Sequence, residues 1–191
     1  MISPDEVKKK AKLKEGENYS FRTYLKIHAD PEKLDEQFLR LHNDLFSQYD
    51  CSKCRNCCKE FCGMIPEDDV EKDAEKLNIT REEFIANYLE YDESEASYKT
   101  KHCPCDFLNA DGSCTLEECK PDSCSNYPYT NQPDRMGSLL NIVESAGICP
   151  VVYEILEGLK EEYHFIKRRH IYPNEPCPCG SGLEYKKCCG K

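Results

Sequence analysis

A mainly α fold, interrupted by irregular cysteine-rich loops and closed by a small cysteine-rich C-terminal module, is predicted by three observations. Apolar residues recur at helical spacing in several segments of the 191-residue chain. Residues 92–133 show no such period and hold five cysteines among prolines and a glycine. Fifteen cysteines stand beside only 7 Phe, 3 Met and no Trp, so sulfur chemistry rather than a large oily core must organise the irregular parts.

The elements follow in order. Residues 1–29 are polar, with lysines at Lys8, Lys9, Lys10, Lys12 and Lys14, and read as a solvated or frayed N-terminus; a nucleic-acid contact is the lesser alternative. Asp30-Pro31 opens a helix, Asp as N-cap and Pro at the first helical position. Leu34, Phe38, Leu41 and Leu45 continue it at helical spacing to about Tyr49. Pro66 starts a second helix, with Glu67, Asp68 and Asp69 where the helix dipole favours acids and Val70, Ala74 and Leu77 on its buried face. Thr80 and Glu83 form a capping box for a third, whose Phe84, Ile85, Tyr88 and Leu89 face inward. Leu139–Val143 fits a short strand or a helix start equally well. After Pro150, Val152, Ile155, Leu156, Leu159, Tyr163 and Ile166 mark a long amphipathic helix ending in Lys167, Arg168, Arg169 and His170. Residues 172–176 form a proline-stiffened linker. The predicted units are an N-terminal polar segment and helix (1–50), a cysteine-cluster domain (51–158), a helix end and linker (159–175) and the terminal module (176–191).

Charge narrows the partners. The net charge is −10, yet residues 159–191 carry seven Lys/Arg against four Asp/Glu, a balance of +3 that leaves −13 on the rest. An acidic body argues against general nucleic-acid binding. No run approaches the roughly 20 apolar residues of a membrane helix, and the first 30 residues hold no apolar signal core, so a cytoplasmic location is expected. In a reducing cytosol, clustered cysteines point to metal or redox chemistry before disulfides.

The first constellation reads Cys51-x-x-Cys54-x-x-Cys57-Cys58, with Cys62, Cys103, Cys105, Cys114, Cys119, Cys124 and Cys149 following. Two residues between cysteines let a tight turn aim both sulfurs at one metal. A sulfur-only donor set suits zinc, an iron–sulfur cluster or copper(I), not magnesium or calcium. Side chains of the adjacent Cys57 and Cys58 diverge, so they are expected to serve different metals or different edges of a cluster. The five histidines lack metal-ligand spacing.

The run CSKCRNCC, with Cys105-Asp-Phe-Leu, Asp111-Gly-Ser-Cys114-Thr-Leu, Lys120-Pro-Asp-Ser-Cys124-Ser-Asn-Tyr-Pro and Cys149-Pro150, resembles the YkgJ-type cysteine-cluster family of zinc- or iron-chelating domains over residues 51–152. The resemblance implies eight metal ligands: Cys51, Cys54, Cys57, Cys58, Cys105, Cys114, Cys124 and Cys149. Cys62, Cys103 and Cys119 fall outside that pattern. Lys120 and Ser125 stand where the family commonly has arginine, and lysine does not replace a bidentate guanidinium fork.

The second constellation is Cys177-Pro-Cys179-Gly-Ser-Gly182 followed by Cys188-Cys189. Four sulfurs within 13 residues make one closed tetrahedral site. The segment has no local apolar core, so metal must supply its folding free energy, on the order of 10 kcal/mol in small zinc modules. Residues 176–190 resemble the SEC-C motif, the zinc-binding tail of the SecA translocation motor. The resemblance implies zinc in the tail and a protein partner docked there.

Three function classes follow: a non-enzymatic metal protein with an iron–sulfur or zinc centre and a docking tail; an iron–sulfur-dependent enzyme resembling lysine N-methylases; and a redox or metal-trafficking protein with Cys62, Cys103 and Cys119 as mobile thiols. No glycine-rich S-adenosylmethionine loop and no C-x-x-x-C-x-x-C spacing is present, so no catalytic residue is named.

Overall fold

The computed structural model describes residues 1–165, 173–177 and 181–189. Its α-helices are α1 Pro4–His28, α2 Pro31–Phe46, α3 Asn56–Glu60, α4 Val70–Lys76, α5 Arg81–Tyr88, α6 Asp122–Ser125, α7 Arg135–Ser145 and α8 Pro150–Glu162. Strands β1 Met64–Ile65, β2 Leu89–Asp92 and β3 Ser97–Thr100 form an antiparallel sheet of order β1-β3-β2. Its register pairs Met64 with Lys99 and Leu89 with Thr100. The fold is mainly α, as expected.

The cap signals act as predicted. The Asp30 carboxylate accepts from the Lys33 amide at 3.0 Å, and both arms of the Thr80–Glu83 capping box are made. Leu139–Val143 lies inside a helix, α7. The end of the last predicted helix, Ile166–His170, lies outside the described residues.

The N-terminal segment differs from expectation. Residues 4–28 are one 25-residue helix, not a frayed tail. Val7, Ala11, Phe21 and Leu25 are buried along one side of it, a stripe too sparse to stand out among the lysines. A polar residue, Asn18, completes that stripe. Its side chain accepts from buried Lys160 at 2.6 Å, and Lys160 also pairs with Glu17 and Glu157 at 2.7 Å each. The ammonium is thus matched on three sides, which is what permits its burial. Lys8 pairs with Glu60 and Lys14 with Glu157, so part of the lysine run is tied to the body.

Two main apolar cores result, beside a small cluster of Val7, Ala11 and Tyr153. The larger joins α1, α2, α7 and α8 through Phe21, Leu25, Phe38, Leu139, Ile155 and Leu159. Each such side chain contributes roughly 1.5–3 kcal/mol on burial. The smaller packs Ile65, Val70, Ala74, Phe84, Phe107 and Leu116 around the sheet, α4 and α5. Cys149 belongs to the larger core; Cys105, Cys114 and Cys119 pack against the smaller.

Asp73 on α4 is fully buried, and neither carboxylate oxygen has a hydrogen-bond partner. Burial, with Asp69 nearby, pushes its carboxyl up to about 6. Between an unfolded value of about 3.8 and that folded value, the native state keeps a proton the unfolded chain has lost. Stability therefore falls as pH rises through this window. Asp73→Asn is expected to stabilise the protein by about 1–3 kcal/mol at pH 7 and to flatten that part of the profile. Denaturant midpoints between about pH 4 and pH 7 check this; parallel profiles for both proteins would contradict it.

Candidate metal centre

The chain after α2 is built to crowd thiols. Asp50 accepts from the Ser52 amide at 2.9 Å and starts a 3₁₀ turn over Cys51–Lys53. The Cys54 amide returns to the Cys51 carbonyl at 3.1 Å, which brings those two residues to one side. Arg55 then takes a left-handed conformation (φ 53°) and redirects the chain into α3, whose first turn carries Cys57 and Cys58 with sulfurs 3.9 Å apart.

Other segments bring the remaining cysteines to the same place. The Cys105 amide donates to the Cys58 carbonyl at 2.8 Å. Residues 107–115 fold back as a tight hairpin, with Leu108 bridged to Cys114, and Asp111 accepts from the Ser113 amide at 2.9 Å. Gly112, at φ +85°, is required there twice over. Its left-handed backbone disfavours any side chain, and a Cβ would meet the Ser52 carbonyl oxygen at 2.5 Å. Ser123 bonds the Met64 backbone and fixes α6, which carries Cys124. Cys149 is the N-cap of α8, with Pro150 at the first helical position.

The result is a cavity of about 490 Å³ lined by Cys51, Cys54, Cys57, Cys58, Cys105, Cys114, Cys124 and Cys149. All eight residues implied by the first resemblance thus converge. Cys62, outside that pattern, also lines the cavity, whereas Cys103 and Cys119 do not. His102 is bonded to Asp106 at 2.9 Å and His42 to Thr130 at 2.8 Å, and neither lines the cavity.

The electrostatics of the cavity suit a cation. Burial pushes the Cys105 thiol up to about 11. It does the same to Cys149, up to about 11, although the amides of Val152 and Val151 oppose it. Cys58 moves the other way: the Cys57 thiol donates to it, and Arg55 and Lys120 add positive charge. Thiolates buried in this number repel one another, so a metal ion or cluster is the natural counter-charge for the donor set. Two buried tyrosine hydroxyls, of Tyr49 and Tyr127, make no close hydrogen bond, Cys54 lying by the first and Ser145 by the second only at longer range. Cys149 and Cys57 also lie by the second. An unpaired buried hydroxyl costs about 1–3 kcal/mol, and a metal-bound thiolate is an acceptor that would remove that cost. Tyr49 and Arg55 line the cavity beside the thiols without having been singled out by spacing, and Lys120, which the resemblance placed at a usual arginine position, lines it too.

In the tail, the sulfurs of Cys177, Cys188 and Cys189 all lie within 4.8 Å of one another. A bridge between Pro176 and Glu184 and a bond from the Cys177 amide to the Leu183 carbonyl at 2.8 Å close the turn that brings them together. Gly182 (φ +74°) takes the left-handed position in that turn. Cys179, the fourth expected ligand, lies outside the described residues. Among the described residues, no helix is long and apolar enough to cross a membrane.

Comparison with known proteins bears on this tail. No solved structure matches the chain. The UPF0225 protein SG1365 of Sodalis glossinidius is 61% identical over 33 residues, 16% of this chain and 21% of its own. The protein translocase subunit SecA of Syntrophobacter fumaroxidans is 48% identical over 42 residues, 22% of this chain and 5% of its own. That of Geobacter sulfurreducens is 89% identical over 18 residues, 9% of this chain and 2% of its own. The chain therefore spans about a fifth or less of the length of these relatives. Residues 174–191 match the SEC-C motif, and the thiols drawn together there make the tail a candidate metal site.

Proposed function

We propose that this is a cysteine-bound metal protein of the cytoplasm, with an iron–sulfur or zinc centre in the cavity and a zinc-bound docking tail. The observation that carries the reading is the convergence of eight cysteines, from five separate segments, on one cavity between two apolar cores. This is also what the YkgJ-type pattern implies.

The eight divide into two fours. Cys51, Cys54 and Cys149 lie within electrostatic reach of one another and Cys57 reaches Cys149, while Cys58, within reach of both Cys51 and Cys57, stands at the border of the two sets. The first set leans on the larger core through Cys149. Cys58, Cys105, Cys114 and Cys124 form the other set, leaning on the smaller core. The divide runs between the neighbours Cys57 and Cys58, whose sulfurs, 3.9 Å apart, face each other across it. Each set supplies the four thiolates that one zinc ion or one iron–sulfur cluster takes. The metal centres then tie the two cores together across the cavity.

Spacing favours iron–sulfur in the cavity. A single zinc with Zn–S of about 2.3 Å needs sulfurs roughly 4 Å apart. Among the described residues, the tail thiols are the group of three or more so closely placed. Apart from Cys57 and Cys58 at 3.9 Å, the cavity sulfurs form no such close group among the described residues and line a space of about 490 Å³. The tail reading rests on the matched motif and on the SecA relatives that share it. Its partner is a protein, drawn to a segment with more cations than anions at an otherwise acidic chain.

Purification without oxygen tests the assignment. The protein is expected to be brown, absorbing near ~400 nm through sulfur-to-iron charge transfer, with iron, sulfide and one zinc per chain. A colourless protein carrying only zinc would replace iron–sulfur by zinc in the cavity, since zinc is d¹⁰. A chain free of metal would overturn both.

A further inference from the structure

The Cys62 and Cys103 sulfurs lie 3.4 Å apart, although the residues are 41 positions apart in sequence. Both are exposed, and neither belongs to the two sets of four. By contrast, the sulfur contacts Cys57–Cys58 at 3.9 Å and Cys188–Cys189 at 3.8 Å are between adjacent residues. Cys62 follows α3, which carries Cys57 and Cys58, and sits on the exposed rim of the cavity. Cys103 precedes the ligand candidate Cys105 by two residues.

We propose that Cys62 and Cys103 are a redox-active dithiol that closes reversibly to a disulfide across the rim. A disulfide needs sulfurs about 2.05 Å apart, so the existing contact must shorten by little more than 1 Å, within reach of side-chain rotation. The oxidant is a small disulfide of the glutathione class, which exposure admits. One thiolate of the pair attacks a sulfur of that disulfide. The S–S bond breaks, one small thiolate leaves, and a mixed disulfide forms. The neighbouring thiolate then attacks the protein sulfur of this intermediate and expels the second small thiolate. One S–S bond is lost and one gained; two electrons pass to the small disulfide, and its two thiolates take up the two protons the protein gave up. Excess small thiol reverses each step.

Closure would join the α3 end to the segment before Cys105, and so bind together two of the chain segments that carry cavity ligands. Opening of the cavity then requires more of the fold to move at once, and metal held there should leave more slowly. This consequence rests on the metal reading above; the disulfide itself does not.

The test uses the full chain, purified without oxygen, and graded ratios of oxidised to reduced glutathione. After an acid quench and alkylation, peptide masses are expected to show a Cys62–Cys103 cross-link, the loss of two hydrogens, and reversal by reduced glutathione. Cys62→Ser should leave Cys103 trapped as a glutathione mixed disulfide, and Cys103→Ser should do the same to Cys62. Cys119→Ser, which alters a thiol packed against the smaller core, should leave the cross-link unchanged. Stable glutathione adducts on both residues of the unaltered chain, or oxidation between cavity cysteines without the cross-link, would overturn the proposal. Metal release to a chelator is expected to be several-fold slower from the cross-linked form; equal rates would remove the closing role. A protein that forms the cross-link but carries no metal would defeat the metal reading alone.

Discussion

Cys149→Ser and Cys105→Ser are each expected to cost the protein one metal centre of the cavity and to loosen a different lobe. Cys149 caps α8 and is part of the larger core, so its loss should destabilise the helices first. Cys54→Ser should act with it, since Cys149 and Cys54 share a set. Cys105 packs against the smaller core and is tied to the Cys58 carbonyl at 2.8 Å, so its loss should free the sheet lobe. The expected effect is large, because sulfur–metal bonding in small modules contributes on the order of 10 kcal/mol, comparable to the whole stability of an ordinary domain. Metal content should fall by about half of the cavity's share in each variant. Hydrogen exchange should place the loosening in the named lobe. Full metal content with unchanged melting in both would remove the metal centre from the account. Complete loss of cavity metal in either variant would mean one shared centre instead of two.

The tail should depend on metal outright. A peptide of residues 173–191 has no apolar core, while Cys177, Cys188 and Cys189 are already grouped within 4.8 Å. It is expected to be disordered alone and ordered with one equivalent of zinc, the binding free energy of roughly 10 kcal/mol serving as its folding free energy. Removing residues 173–191 should leave the cavity metal in place, since the two ligand sets do not overlap in sequence. Circular dichroism during a zinc titration, with metal analysis of the truncated chain, checks both parts. Loss of the cavity metal on truncation would show that the sites share ligands.

The helices with strong local signals were legible in the sequence. Asp30-Pro31, the Thr80–Glu83 box and Pro150 each act at the residue where a backbone donor or a fixed φ is needed, so local chemistry suffices there. The helix over residues 4–28 was not legible, because its stripe includes Asn18 and works only once Lys160 of α8 arrives to bond it. Strands of two and four residues are too short to display alternation, and β1 exists by pairing with β3 some 34 residues on. The eight cavity cysteines were named from their pattern, and the adjacency of Cys57 and Cys58 already pointed to a divide. That Cys149 joins the larger core while Cys105 and Cys114 pack against the smaller required the tertiary fold. So did the meeting of Cys62 with Cys103, which no local spacing encodes.

Exposure supplies the sharpest test of the metal centre. Cys51 and Cys124, assigned to the cavity, are exposed, as are Cys62 and Cys103, which are not assigned to it. A bare chain would therefore present all four to an alkylating reagent. Brief alkylation of the reduced native protein without oxygen, followed by peptide mapping, separates them. Labelling of Cys62 and Cys103, with Cys51 and Cys124 blocked until a chelator strips the metal, is the expected result. Labelling of Cys51 and Cys124 as fast as Cys62 before any chelator is added would contradict a metal centre built on these thiols.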